Sequence, residues 1–123
     1  MLTAVAAYAL ETAGIRDAAL ERVRAKAIRK MAIMDAEQAK VLAQLEDAGI
    51  WYMPLKGAVL KDLYPAYGIR QMGDRDILID PDRAEDVREI MALRSNTTGP
   101  ATMTTISNRH SVILRCTGNL SMR

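Results

Sequence analysis

A chain of 123 residues, 50% of them apolar, has the size of one ordinary domain and enough apolar side chains to bury a core. A single cysteine, Cys116, excludes an internal disulfide and a multi-cysteine metal site. No apolar run is long enough to cross a membrane, and residues 1–10 lack the basic start of a leader peptide, so we expect a cytoplasmic protein without a membrane partner.

The composition of the chain changes abruptly near Arg94. All 15 acidic residues lie at or before Glu89, whereas every Ser, Asn, His and Cys follows Arg94. The net charge of +2 therefore depends on the last four of the 17 basic residues, which are Arg94 and three later arginines. These arginines are scattered and have no aromatic residues between them, so the composition disfavours a nucleic-acid partner.

The first part of the chain predicts two helices. Residues 2–13 form a short helix that Gly14 ends, and a longer helix runs from about Asp17 to Asp47. Charged residues occupy most other faces of the long helix, which is typical either of a solvated surface or of a partner-binding helix. The apolar stripe of the long helix is predicted to contain Leu20, Val23, Ala27, Met31, Met34, Leu42 and Leu45.

The middle of the chain alternates strands and helices. Residues 50–55 predict a strand, with Pro54 favouring an edge position, and a short helix follows as far as Tyr64. An irregular connection over residues 66–73 leads to a second strand over residues 74–79.

The last predicted helix follows that strand directly. Asp80 is expected to be its N-cap and Pro81 its first residue, which gives Asp80 a structural role rather than a metal-binding one. Beyond Arg94, only residues 112–114 predict a strand. His110 and Cys116 have no partner at metal-ligand or nucleophile spacing, and we interpret both as incidental.

Two acids at the start of the second strand are the first candidate site. Because side chains alternate along a strand, Asp74 and Asp76 share one face and Arg75 lies on the other. Two carboxylates at this spacing suit one divalent cation or a close pair. The same pattern also occurs by chance in solvated turns, and that interpretation stays open here.

A lysine and a glycine before the short helix are the second candidate site. Gly57 permits a phosphate to approach the backbone, the N–H groups of a helix start attract anions, and Lys56 adds a positive charge. The alternative is a tight turn with a solvated lysine. Arg70, four residues before Asp74, is placed either to contact an anionic ligand or to pair with the acids.

Taken in order, these segments resemble the uncharacterised nucleotidyltransferase family within the DNA polymerase beta-like nucleotidyltransferase superfamily. The resemblance is dense over residues 49–91 and looser over the helices before them. The residues that carry it are Gly49–Ile50, Leu55–Ala58, Tyr64–Pro65 and Arg70–Ile79.

The resemblance implies an α/β (α+β) fold in which N-terminal helices precede a mixed sheet flanked by helices. It also implies transfer of a nucleoside monophosphate from an NTP to an acceptor, here an unknown small molecule or protein. Asp74 and Asp76 match the first two metal-binding acids of the superfamily, which hold Mg²⁺ against the triphosphate. Phosphoryl transfer of this kind needs positioning and charge neutralisation rather than a protein nucleophile.

The same resemblance assigns the phosphate contacts. Gly57 matches the glycine of the turn that cradles the phosphates, and Ala58 stands where a serine or glycine is common. Lys56 and Arg70 match basic positions of the family, for which we infer phosphate contacts.

Two departures from the family pattern limit what the chain can do. Arg75 stands where the superfamily usually has an apolar residue. The superfamily also completes its metal site with a third carboxylate on a later strand, and this chain has no acid after Glu89. The chain therefore resembles a truncated N-terminal portion with an incomplete catalytic site, and its activity on its own is in question.

Three regions follow from these observations: a helical region over residues 1–48, a partial nucleotidyltransferase core over 49–94, and an atypical, poorly ordered tail over 95–123. If codons for the tail are chosen freely and read in a shifted frame, they can encode a sequence that resembles the segment that follows in the family. That segment includes an acid on an apolar strand. We hypothesise a frameshift near Ser95. Sequencing of the encoding DNA tests it, because incompatible codons would exclude it.

A second interpretation belongs to another class of protein. Residues 1–48 would form a non-catalytic helical module that binds a partner or self-associates, and the two acids would be a surface turn. Oligomerisation that depends on concentration, without nucleotide affinity, would favour this interpretation.

Overall fold

The computed structural model describes residues 2–70, 73–95, 101–108 and 111–118. His110 and the Gly99–Pro100 break lie outside these ranges, as do two residues of the connection before the second strand. Within the described residues, no helix has both the length and the apolar character needed to cross a bilayer. The elements are α1 Leu2–Thr12, α2 Ala18–Asp47, β1 Tyr52–Pro54, α3 Gly57–Leu60, a 3-10 turn Lys61–Leu63, β2 Asp74–Ile79, a 3-10 turn Pro81–Arg83, α4 Ala84–Ser95, β3 Ala101–Asn108 and β4 Ser111–Gly118.

The strands form one four-stranded sheet with the order β1-β2-β4-β3. The α+β class and the helices beside the sheet are as predicted, and β1 with Pro54 lies at an edge, as predicted. All described strand pairs are antiparallel, however, rather than mixed. The sheet is not mixed because β4 lies between β2 and β3 and pairs with both. β3 runs in the same direction as β2, but the two strands do not pair with each other.

The long helix begins and ends as predicted. The Asp17 carboxylate caps its start by accepting hydrogen bonds from the amides of Ala19 and Leu20 at 2.8 and 3.0 Å. Of its predicted stripe, Ala27, Met31, Met34 and Leu45 are buried, whereas Leu20, Val23 and Leu42 are only partly buried. The stripe instead follows alternating steps of four and three residues, through Ala27, Met31, Met34, Gln38, Val41 and Leu45.

One face of the sheet packs against α2 and α4 to form the core. Alternate residues of β2 and β4 point into it, so that Ile77 and Leu114 are fully buried and lie opposite each other in the register. Asp74 and Asp76 lie on the other face of β2. The core contains Val41, Leu45, Ile50, Ile77, Ile79, Val87, Met91, Val112 and Leu114.

The structure adds strands to the last part of the chain. The predicted strand over residues 112–114 lies within β4, which extends over Ser111–Gly118, and β3 was not predicted at all. The Thr-rich segment before β4 lacks the apolar alternation of a half-buried strand, although β-branched threonine suits an extended backbone. The borders drawn at residues 48 and 94 stay a prediction.

Candidate functional site

The two candidate acids lie at the start of the central strand β2. Asp74 is half exposed, and the side chain of Asp76 is 16% exposed. Arg75, between them, is fully buried on the opposite face. The predicted alternation is therefore confirmed, and both carboxylates lie on the face of β2 that points away from α2 and α4.

Both carboxylates contact one guanidinium group, that of Arg115 on β4. Arg115 lies directly opposite Asp76 in the register. Its Nε donates to Asp76 Oδ1 at 2.8 Å and lies 3.4 Å from Asp74 Oδ2, while Nη2 is 3.2 Å from Asp76 Oδ2. The two acids thus converge on a single positive charge.

The sequence did not point to Arg115. Alternation around the buried residues Val112 and Leu114 would have placed Arg115 off the core face of a longer strand. Its neighbour across the sheet could not be inferred, because β4 lies between β2 and β3 and the strand order does not follow the chain order.

The environment of Asp76 favours its charged form. The hydrogen bonds from Arg115 hold the pKa of Asp76 below its usual value of 3.8, burial opposes this effect, and the positive charge of Lys56 adds to the lowering. Asp76 is therefore a carboxylate at neutral pH, which is the form that can accept hydrogen bonds or ligate a cation.

The lysine and glycine turn lies beside the acids. The amide of Leu55 donates to the backbone oxygen of Asp76 at 2.9 Å, which attaches the turn to β2. Lys56 follows with a φ of 47°, a conformation that residues other than glycine rarely adopt. The structure therefore brings Lys56 close enough to Asp76 for its charge to lower the pKa of that acid.

The helix that follows the turn is shorter than predicted. α3 has four residues, and a single helical turn has little dipole with which to attract an anion. The amides of Ala58 and Val59 donate to the backbone oxygens of Leu55 and Lys56 at 3.3 and 3.1 Å. Positive charge at this turn comes chiefly from the Lys56 side chain.

Arg70 lies against Tyr64 rather than against the acids. Its Nη1 donates to the Tyr64 hydroxyl at 3.0 Å, and the guanidinium lies 5.6 Å from the centre of the Tyr64 ring. Pairing with the acids, one of the two alternatives for Arg70, is thus not found among the described contacts. A role for Arg70 in phosphate binding stays a prediction.

A buried ion pair holds the other face of β2. Arg75 donates to Asp35 of α2 and to Gln38 Oε1, the latter at 2.7 Å. Asp35 also accepts hydrogen bonds from Lys61 and Tyr67. These contacts attach β2 and the connection before it to α2, and they explain how an arginine replaces the expected apolar residue.

The hydrogen bonds among Asp35, Lys61, Tyr67 and Arg75 change the pKa values of Asp35 and Tyr67. Burial alone would raise the pKa of Asp35, but hydrogen bonds from Lys61, Tyr67 and Arg75 outweigh it and lower the pKa below 3.8. Burial and the hydrogen bond to Asp35 raise the pKa of Tyr67 to about 12. Neither Asp35 nor Gln38 was predicted as important, although Gln38 continues the spacing of the buried stripe of α2.

Within the described ranges, no cluster of three or more His, Cys, Asp or Glu side chains could hold a metal ion. Cys116 is buried, and burial raises the pKa of its thiol.

These features define a class: a two-layer α+β domain with paired acids on a central strand beside a lysine and glycine turn. A family model described as an uncharacterised nucleotidyltransferase matches residues 2–113, so the chain belongs to that family. The match continues past the composition border at Arg94. Membership indicates nucleotidyl transfer as the general reaction and a nucleotide as the general substrate. Neither the curated proteins nor the solved structures contain a match.

Proposed function

We propose that the chain binds the Mg²⁺ complex of an NTP at Asp74 and Asp76, as the nucleotide half-site of a nucleotidyltransferase. The observation that carries this proposal is the convergence of both carboxylates on one positive charge, the Arg115 guanidinium. Two acids that can approach one cationic group are arranged to approach another.

The donor set suits the metal. Mg²⁺ prefers oxygen ligands and is commonly bound through one or two carboxylates together with substrate phosphates and water. Asp74 and Asp76 supply the carboxylates, and the low pKa of Asp76 keeps that group charged at neutral pH. When bound, the metal neutralises phosphate oxygens and orients them for displacement.

The residues around the acids have separate roles in this proposal. Lys56, on the turn attached to β2, contributes positive charge for the phosphates, and Gly57 lets them approach the backbone. Arg70, whose guanidinium contacts Tyr64, is assigned a further phosphate contact. Arg75 and Asp35 do not touch the ligand; they fix the orientation of β2 so that both acids face the site.

Nucleotide binding is a more direct test of this proposal than nucleotidyl transfer. The chain has no acid after Glu89 to act as a third carboxylate, and β4 presents Arg115 beside the two acids instead. Among the described strands, the position opposite Asp76 is thus held by an arginine rather than by a third carboxylate. We accordingly propose nucleotide binding, rather than turnover, as the property to test on this chain.

The test is calorimetric titration of the full chain with ATP, GTP, CTP and UTP in turn, with and without Mg²⁺. We expect binding of at least one nucleotide that requires Mg²⁺. Asp74→Asn and Asp76→Asn should each weaken it by about tenfold or more, since each removes a charge-assisted contact.

The matched control is Asp82→Asn, which removes the same charge from the exposed 3-10 turn after the other end of β2. This variant should bind as the unmodified protein does. Nucleotide binding that is indifferent to changes at Asp74 and Asp76, or that falls equally in the control, would remove the metal role of the two acids.

The helical-module interpretation has less support. Val41 and Leu45, on the apolar stripe of α2, pack in the core of the chain's own sheet. Ala4 and Ala7 of α1 are buried as well. These four apolar side chains are thus used within the chain, and no specific contact favours this second function.

A further inference from the structure

Arg115 occupies the position that a cation would take between the two acids. It makes two hydrogen bonds to Asp76, at 2.8 and 3.2 Å, and its Nε lies 3.4 Å from Asp74. A guanidinium that binds a carboxylate through two parallel hydrogen bonds is among the strongest partners a carboxylate finds in proteins. One lone pair on each oxygen of Asp76 is therefore already engaged, and Asp74 adds a longer ion-pair contact at 3.4 Å.

Strand pairing places this guanidinium. Arg115 and Asp76 are directly opposite on neighbouring antiparallel strands, where side chains on one face lie within contact of each other. Pairing of β2 with β4 brings the guanidinium within reach of the acids, so its placement follows from the strand register. The side chain of Arg115 is nevertheless 37% exposed, which gives the guanidinium room to turn away from the acids.

We propose that Arg115 is an internal counter-cation that competes with the divalent metal for Asp74 and Asp76. Metal binding then requires the guanidinium to leave both carboxylates, and the observed affinity for metal is reduced by the strength of that contact. This inference rests on the proposed function, because it takes the two acids to be the metal ligands.

The experiment measures binding of Mn²⁺ alone to the full chain by electron paramagnetic resonance. Mn²⁺ accepts the same oxygen ligands as Mg²⁺ and is detected directly. Arg115→Ala and Arg115→Gln should bind Mn²⁺ about tenfold more tightly than the unmodified protein, the effect of releasing a charge-assisted pair that is partly exposed. Circular dichroism confirms that both variants are folded.

Two controls separate a specific contact from a change in net charge. Arg88→Ala removes an equal charge from α4, where Arg88 pairs with Glu85, and should leave Mn²⁺ affinity unchanged. Adding Asp76→Asn to Arg115→Ala should abolish the gain, because the released ligand is then missing. Similar gains in Arg115→Ala and Arg88→Ala would overturn the inference.

The failure of this inference is distinguishable from failure of the proposed function. If the Arg115 variants bind Mn²⁺ no more tightly than the unmodified protein while Asp76→Asn loses binding, the acids are ligands and Arg115 does not compete. If none of the proteins binds Mn²⁺, this inference is overturned, whereas the Mg²⁺-dependent nucleotide binding proposed above is decided separately by the calorimetric titration of Asp74→Asn and Asp76→Asn.

Discussion

Arg75 is a fully charged side chain buried in the interface between β2 and α2. A buried charge is tolerated only when it is paired, because removing an ion from water is costly. Asp35 supplies the opposite charge and Gln38 an additional acceptor. Arg75 departs from the family pattern, but through this pairing it orients the strand that bears Asp74 and Asp76.

Asp35→Asn should therefore destabilise the protein strongly. It leaves Arg75 buried without its counter-charge, and breaking a buried pair in this way costs about 3 kcal/mol. Glu85→Gln is the matched control, since it breaks the exposed Glu85–Arg88 pair and should change the free energy of unfolding by about 0.5 kcal/mol or less. Urea unfolding measures both, and equal effects would contradict the buried role.

The same change has a pH signature. Because the folded-state pKa of Asp35 lies below 3.8, its contribution to stability is present above that pH and is lost as the pH falls through the lower folded value. The stability difference between the unmodified protein and Asp35→Asn should thus shrink on acidification below 3.8. A difference that stays constant through this range would show that Asp35 keeps an ordinary pKa.

The connection between α3 and β2 is an element that depends on one glycine. Gly68 has a φ of +84°, and a Cβ there would lie 2.7 Å from Cγ1 and 3.2 Å from Cα of Ile28 on α2. The connection therefore approaches the helix more closely than any larger residue allows. This contact, together with Tyr67 and Asp35, holds the segment that leads to the two acids.

Gly68→Ala and Gly14→Ala form a matched pair. Gly14 also has a positive φ, of +76°, but a Cβ there meets nothing within 4 Å. Gly14→Ala should cost only the backbone strain, about 1 kcal/mol. Gly68→Ala should cost about 1–3 kcal/mol more, because overpacking against Ile28 is added. Thermal or urea unfolding measures the difference, and equal costs would contradict the close approach to α2.

Elements were predictable where their signals are local. α1, α2, β2 and the Asp80 cap follow from apolar periodicity and capping residues, and the structure has them where they were expected. The short length of α3 and the 3-10 turn before α4 were harder to predict from the sequence, since both depend on a few hydrogen bonds. Arg115 and Asp35 were missed because their roles depend on contacts with residues distant in sequence.

At the scale of the whole molecule, β4 joins the last part of the chain to the core. It pairs with β2 along six residues and separates β2 from β3. Leu114 and Cys116 are fully buried, although they lie in the segment whose composition predicted poor order. A composition border therefore does not determine where the core ends, since alternate apolar residues of β4 complete it.

Leu114→Ala and Ile113→Ala test whether β4 belongs to the folding unit. The two residues are neighbours, but Leu114 faces the core and is fully buried, whereas Ile113 faces the opposite side and is only partly buried. Leu114→Ala should reduce the free energy of unfolding by about 2–5 kcal/mol, the cost of a core cavity. Ile113→Ala removes a half-buried side chain and should cost about 1 kcal/mol.

Urea unfolding of the full chain measures the free energy of unfolding of both variants, and the difference between their costs shows whether β4 packs on the core. If both variants cost the same small amount, residues 111–118 do not pack on the core, and the expectation of a poorly ordered tail holds. A large cost at Leu114 alone shows that Leu114 faces the core, as it does in the register that places Ile77 opposite Leu114. Because that register also sets Asp76 opposite Arg115, a stability measurement on a buried leucine then supports the position of the guanidinium beside the two acids.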